Sequence, residues 1–477
     1  MRRAQQHAVI VGGGASGVLL AVHLLKKSSS PLNVTLIEKR PSVGRGVAYS
    51  TSNPDHLLNV RAHNMSAFPD EPNHFSQWIA ARRTRSSNDT PSALESSSFV
   101  PRGLYGDYVA GLIEPYIGAG ANGRSLEVMT GECISLAENA GGVSARLSDG
   151  RSLEADLAIL ATGHPETEIG ARCFADPWTP PAEAGIKPDD TVFILGTGLT
   201  MVDYVMALQL AGHRGPIIAM SRRGLLPKPH RPVKPFPLGP ADIPTGASAA
   251  ELARWLHICA RTHIGRGGDW RSVVDGLRPY TQSLWQAFSA ADRRRFLEHA
   301  RAWWDVHRHR MAPAAELRIK AAVDAGQLTI VAAKTCGIDL SGEGAVVHFR
   351  RRGVTTLESV WVSKIVECKS SSDLAPKNTS PLLHGMLADG TVRPDALGIG
   401  LDVTDDCAVR SRSGTVSERI YAVGPLTRAA FWEITAIPDI RTQCAKLAAT
   451  LIDRLSVDWH RFAKPPSAED KTRAPDP

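Results

Sequence analysis

His7-Ala-Val-Ile-Val-Gly-Gly-Gly-Ala-Ser-Gly17 decides the fold. Four consecutive apolar residues, Ala8 to Val11, read as a buried strand, and Val18 to Leu25 read as the helix that follows it. Between them, Gly12, Gly14 and Gly17 have the Gly-x-Gly-x-x-Gly spacing, with Ser16 inside the turn. The first glycine permits the tight turn, the second lets a pyrophosphate approach the backbone, and the third lets helix and strand pack closely, with the helix N-terminus towards the phosphates. A second strand, Asn33-Val-Thr-Leu-Ile-Glu38, ends in a carboxylate 26 residues after Gly12, where it can hold the hydroxyls of a ribose. Strand, glycines, helix and acid together predict a dinucleotide-binding unit.

The pattern recurs. Thr191-Val-Phe-Ile-Leu195 runs into Gly196-Thr197-Gly198-Leu199-Thr200-Met201, followed by an Ala- and Leu-rich helix to about Ala211. Met201 occupies the third glycine position, so helix and strand are expected to sit slightly further apart here. In the next strand, Pro216 to Arg223, Arg222 again lies 26 residues after the first glycine. Ser221, Arg222 and Arg223 thus replace the acid of the first copy. A carboxylate repels a 2′-phosphate whereas a guanidinium binds it through charge-assisted hydrogen bonds, so the second unit is expected to take NADPH. The alternative is a pair of solvated surface arginines.

Composition sets the bounds. A chain of 477 residues with 43% hydrophobic and 22% charged side chains has material for two or three domains with large cores. No run reaches the roughly 18 apolar residues of a membrane span, and the N-terminus enters the first strand too soon for a cleaved leader, so no membrane association is expected. Seven scattered cysteines without a Cys-x-x-Cys pair fit a reducing compartment, here the cytoplasm, and argue against a dithiol redox centre or a metal site. The formal net charge of +7 comes with no recognition module for nucleic acid, which is therefore not an expected partner.

Between and beyond the two units, Arg40 to Tyr49 and His56 to Asp70 read as loops that either cover a cofactor or are ordinary surface loops, residues 82 to 98 as an exposed linker, and Phe99 to Ile113 as helix. Strands are expected at Leu126 to Leu136, Val143 to Leu147 and Leu153 to Ala161. The last stops at Thr162-Gly163, where backbone can approach a cofactor. A Pro-rich stretch from Leu226 leads into helical segments with Trp255, Trp270, Trp285, Trp303 and Trp304. Arg293, Arg294, Arg295, Arg301, His307, Arg308, His309 and Arg310 are expected to form a solvated face on helix packed by those tryptophans, an anion-receiving wall being the alternative. Gly326 to Ala333, Ala345 to Arg350, Ser359 to Cys368 and Ile420 to Gly424 read as further strands, and the tail from Lys464 as disordered. The expected architecture is α/β, with two Rossmann-like domains and a helical insertion. The first domain takes residues 1–185 and 373–463, the second 186–236 and 319–372, the insertion 237–318, and the tail 464–477.

From about His7 to Leu455 the arrangement resembles flavoproteins with two dinucleotide-binding domains. The strings Val43-Gly-Arg-Gly-Val-Ala-Tyr49, His56-Leu-Leu-Asn59, Met65-Ser-Ala-Phe-Pro69, Trp304-Asp-Val-His-Arg308 and Gly424-Pro-Leu-Thr-Arg-Ala-Ala-Phe-Trp-Glu433 are similar to the group that contains FAD-dependent urate hydroxylase and L-aspartate N-monooxygenase. The resemblance implies FAD on Gly12, Gly14, Gly17 and Glu38, with Asn59 and Met65 in the cofactor loop. It implies NADPH on the Gly196 to Thr200 turn, and Gly424, Pro438 and Asp439 at the flavin end. It further implies a monooxygenase that forms a flavin C4a-hydroperoxide and uses O2 to hydroxylate a small polar molecule at an amino-acid nitrogen or a purine-like carbon. Substrate contacts are assigned to His230, His307 and Arg308. Relatives end the last strand of the second domain in Cys-Thr-Gly-Pro, whereas this chain has Cys368-Lys-Ser-Ser371. An NADPH-dependent reductase serving an external acceptor and a non-catalytic flavin sensor are the competing readings.

Overall fold

A computed structural model describes residues 5–85, 99–118, 123–163, 172–368 and 379–463. Residues 86–98 of the expected linker, Lys369 to Ser371 of the divergent strand end, and the tail from Lys464 lie outside the described residues.

Among the described residues the strands form sheets of six, seven and three. Gln6–Val11 lies inside the first, hydrogen-bonded in parallel to Leu32–Glu38 on one side and Leu157–Leu160 on the other. Its apolar run is buried because it is flanked on both edges and covered on its faces, as parallel strands require. Arg124–Thr130 closes one edge; Val416–Ala422 and the antiparallel Ala408–Arg410 close the other. The helix Ala15–Lys27 packs on this sheet beside the long helix Ile437–Ala463.

The second sheet runs Glu358–Val362, Gly344–Arg351, Leu328–Ser341, Ile217–Ser221, Val192–Leu195, Lys364–Glu367 and Phe174–Ala175. Its centre repeats the first unit: Val192–Leu195 and Ile217–Ser221 are parallel neighbours joined through the helix Leu199–Leu210. The second body extends past the boundaries expected at residues 186 and 319. Phe174 and Ala175 pair with Ile365 and Val366, and the helix Pro313–Asp324 buries Ala315, Ile319 and Ala322 against the second core.

Ser359 to Cys368, expected as one strand, divides at Ser363 into Glu358–Val362 and Lys364–Glu367, both in the second sheet. Two further expected strands are each broken in two. Leu126 to Leu136 divides into Arg124–Thr130 and Cys133–Asn139 at Gly131, where a Cβ would lie 2.7 Å from Leu147 Cδ2. Leu153 to Ala161 divides into Ser152–Ala155 and Leu157–Leu160 at Asp156, whose carboxylate accepts the His7 N–H at 2.7 Å. In each pair one half belongs to the first sheet; the other builds the antiparallel three-stranded sheet with Gly142–Leu147.

The insertion is helical, comprising Ala249–Gly265, Trp270–Leu277, Thr281–Ala287, Ala290–Arg295 and Arg301–Arg308, with the last two joined by a π-helical turn at Phe296–Ala300. It rests on the C-terminal part of the first body: Trp285 stacks on Trp432 at 4.6 Å and donates its indole N–H to the Ala429 carbonyl at 2.7 Å. Two ion pairs tie the first and second bodies together, Arg102 with Asp203 at 2.7 Å and Arg318 with Asp55 at 2.5 Å. Among the described residues no helix is long and apolar enough to cross a membrane.

Candidate cofactor and substrate site

At the first turn the glycines are required by contact. Gly12 has φ 109°, and a Cβ there would meet the Ala161 carbonyl oxygen at 2.4 Å. A Cβ on Gly17 would stand 1.9 Å from the Gly12 carbonyl oxygen, so this glycine sets the closeness of helix to strand. The helix opens at Gly14 with no side-chain cap, leaving its first N–H groups for a ligand, and the nearest atom to a Cβ at Gly14 would be Gly46 Cα at 3.6 Å. Arg40 to Tyr49 does fold over the turn, with the Gly44 N–H bonded to the Gly13 carbonyl at 2.7 Å. Glu38 accepts the N–H groups of Gly13 at 2.8 Å and Arg40 at 2.9 Å, which holds its carboxylate beside the turn. Uncapped donors, absent side chains and a fixed acid fit a dinucleotide.

The other expected first-site residues converge on the same end. Gly424, at φ 73°, leaves no room for a side chain, because its Cβ would lie 2.5 Å from Ser16 Oγ. Gly163, at φ 76°, follows the residues that back Gly12 and has open space at its Cβ position. Met65 is buried, and Arg441 donates to the Ser66 carbonyl at 2.9 Å, which fastens this loop to the helix whose first turn carries Pro438 and Asp439.

The second turn is looser. Gly196 has φ 120°, the helix from Leu199 starts at Gly198 without a side-chain cap, and nothing approaches the Cβ position of Gly198 within 4 Å. Thr200 lies in that helix's first turn. Met201 is completely buried in the second core. Thr197 and Ser221 hold the turn itself: their hydroxyls lie 2.8 Å apart, Thr197 donates to the Leu225 carbonyl at 2.6 Å, and Ser221 Oγ accepts the Gly224 N–H at 3.0 Å. Arg222 is exposed, whereas Arg223 donates to the His299 carbonyl at 2.9 Å in the π-helical turn.

The three residues assigned to the substrate do not form one cluster. His230 Nε2 lies 3.0 Å from the Asn59 carbonyl, with the Phe99 ring at 5.0 Å, and burial together with Arg310 pushes its pKa down to about 4. His307 turns away, its Nδ1 2.8 Å from the Trp303 carbonyl and its ring edge-on to Trp270 at 4.8 Å. Arg308 is buried, its Nε donating to Glu433 Oε2 at 3.0 Å. The solvated cationic face expected for this stretch therefore holds for the exposed Arg294 and Arg295 and fails for Arg308, buried against Glu433 of the first body, and for Arg310, buried within the insertion against Asp275 and Trp270.

Sequence reasoning gave no role to Glu433. Its other oxygen accepts the Trp304 indole N–H at 2.5 Å. Burial acts to raise its pKa, but Arg308, His309, the Trp304 bond and Arg278 outweigh burial and hold it below the usual range. Asp439 behaves oppositely: burial raises its pKa, only partly offset by Arg278, 3.7 Å away, and Arg308. The signal that could have found it is the i, i+4 spacing of Trp304 and Arg308, which sets indole and guanidinium on one helix face.

Residues 9–165 match the family described as FAD-NAD(P)-binding. This stretch is similar to that family. It contains the first glycine turn, Glu38, the covering loop and the Ala161–Gly163 backing. No curated protein matches the chain in sequence. Among solved structures, the ornithine N-hydroxylase of Kutzneria sp. 744, with reduced FAD, NADP+ and L-ornithine, is 15% identical, aligns over 95% of this chain and 100% of that one, and has a TM-score of 0.60. The ornithine hydroxylase of Pseudomonas aeruginosa is 14% identical over 95% and 100% of the two chains, TM-score 0.61. L-lysine 6-monooxygenase of Pseudomonas syringae is 13% identical over 94% and 99%, TM-score 0.61. The two Rossmann-like bodies and the insertion thus share one fold with these enzymes along nearly the whole chain. Among the described residues no group of three His, Cys, Asp or Glu is arranged to hold a metal, and all seven cysteines are free thiols.

Proposed function

We propose that this protein is an FAD- and NADPH-dependent monooxygenase that hydroxylates a nitrogen of a small amino acid or related amine. The observation that carries the reading is the pair of open glycine turns, one served by Glu38 and the other by Arg222, in a chain that shares its fold end to end with N-hydroxylating flavoenzymes. Those neighbours favour nitrogen over the purine-like carbon, and within the resembled group they favour the L-aspartate N-monooxygenase side over the urate hydroxylase side.

FAD supplies the hydride acceptor and the oxygen-activating ring. The chain's own part is to bind and to exclude water. The N–H groups opening the helix at Gly14 face the pyrophosphate, and Glu38 takes the ribose. Gly196 to Thr200 and Arg222 take NADPH, with the 2′-phosphate on the guanidinium. The insertion, seated through Trp285 on Trp432, would shield the flavin end from solvent.

The test is substrate-dependent, NADPH-driven O2 uptake by the purified flavoprotein, with the product analysed for a hydroxylamine. Uptake that rises with an amino acid and yields the hydroxylated product supports the reading. Rapid reoxidation by an external acceptor without such a product supports the reductase instead, and failure of NADPH to bleach the flavin supports the sensor.

A further inference from the structure

Glu433 has a backbone that its side chain does not favour. Its φ is 67°, in the left-handed region, and besides Cys407 it is the only non-glycine residue there among the described residues. Such strain persists only where the surroundings over-determine it, and it concentrates at functional sites. Here the surroundings are two charge-assisted bonds to one face of the insertion, from Trp304 and from Arg308. Both partners of the ion pair are deeply buried, with 9% of the Arg308 side chain and 3% of the Glu433 side chain exposed.

Cations crowd this carboxylate: Arg278, Arg308 and Arg428 all interact with Glu433 or Asp439, with Asp275 and Asp305 as further counter-charges. Bonding capacity is also left over. Arg308 Nη2 and Arg428 Nε are buried with no hydrogen-bond partner among the described residues. A buried guanidinium N–H without a partner costs free energy that an incoming anion recovers.

We propose that Glu433 is a positioning residue: it grips Arg308 by the Nε edge and so presents the unpaired Nη2 to a carboxylate of the substrate. This deepens the reading of the protein as an amino-acid N-hydroxylase and rests on it. The nitrogen to be hydroxylated belongs to a molecule held by its carboxylate, so an amine lacking that group is a poor ligand.

The test uses the FAD-loaded, full-length protein. L-Ornithine, L-lysine and L-aspartate are titrated against the flavin absorbance, alongside putrescine and cadaverine, which match the first two without the carboxylate. The expected result is that at least one amino acid binds at least tenfold more tightly than the amines. Glu433→Gln should then weaken it at least tenfold, raising its KM more than it lowers kcat and more than it slows flavin reduction by NADPH. Glu433→Gly, which suits the left-handed backbone, should weaken binding similarly while melting no lower than Glu433→Gln. The proposal is overturned if no amino acid binds, if the amines bind equally well, or if Glu433→Gln binds within twofold of wild type. It is also overturned if the NADPH KM rises instead, which would make the anion a cofactor phosphate, or if both variants lose FAD, which would make Glu433 structural. Failure of wild type to hydroxylate any amine, with carboxylate binding intact, would instead sink the monooxygenase reading alone.

Discussion

At the first glycine turn a Cβ on the third glycine would lie 1.9 Å from a backbone oxygen; at the same place in the second turn Met201 is completely buried among apolar side chains. In the first copy helix and strand meet backbone to backbone, and in the second a side chain fills the gap. The strand-end residues differ as sharply. Glu38 is fixed by two backbone N–H groups, whereas Arg222 is exposed and Arg223 is engaged by carbonyls of the insertion. One unit thus fixes its strand-end charge beside the turn, and the other leaves Arg222 exposed at the corresponding position.

The largest effect should come from reversing the closest contact. Gly17→Val forces the helix away from Gly12, so the purified protein is expected to retain less than about a tenth of the wild-type flavin per chain by absorbance. Met201→Ala should keep its FAD and lose only packing, roughly 2–5 kcal/mol of stability by thermal melting. Equal flavin loss in both variants would erase the distinction between the turns.

Next in size is Glu38→Ala, which removes a charged acceptor and frees the Gly13 N–H; the FAD dissociation constant should rise about tenfold to a hundredfold, corresponding to roughly 1.5–3 kcal/mol. Arg222→Glu should raise the KM for NADPH about tenfold or more while leaving that for NADH within about twofold. Equal effects on the two nucleotides would remove the 2′-phosphate assignment. Arg223→Ala should cost about two- to threefold in the same assay, because its guanidinium is already spent on the π-helical turn.

The smallest effect concerns the residue that bridges the two units. His230 has a pKa of about 4, below the ordinary histidine value of about 6.5, so on acidification the unfolded chain takes up this proton first. The stability that His230 contributes by staying neutral is therefore present above about pH 6.5 and lost as the pH falls towards 4. His230→Gln should accordingly shrink the drop in melting temperature between pH 7 and pH 5 by a few degrees; an unchanged drop would show that this histidine titrates normally.

The parts of the site that could be read directly are those whose requirements are local. A strand, a turn needing φ above zero and a helix start occupy consecutive residues, so Gly12, Gly14 and Gly17 carry their own explanation, and so do Gly196 and Gly198. Glu38 and Arg222 lie one strand further on, at an offset that strand and helix lengths fix. The split strands at Gly131 and Asp156 were less legible, because apolar patterning continues across both positions. What divides them is contact with Leu147 and with His7, each brought in from elsewhere in the chain.

His230, His307 and Arg308 mark the limit. They share residue types suited to chemistry, and one turn of helix sends His307 towards Trp270 and Arg308 towards Glu433. Side-chain direction on that helix depends on where the insertion docks, and the docking rests on Trp285 against Trp432, residues far apart in the chain.

The sequence by itself determined the two dinucleotide units, their order and the charge that distinguishes them, because backbone geometry at a glycine turn is dictated by neighbours in the chain. Only the tertiary structure decided that Arg308 is buried and gripped by Glu433, that Arg223 faces the insertion, and that Phe174–Ala175 belongs to the second sheet. Burial and pairing of a charge depend on which distant surfaces meet it, and no local pattern encodes that meeting.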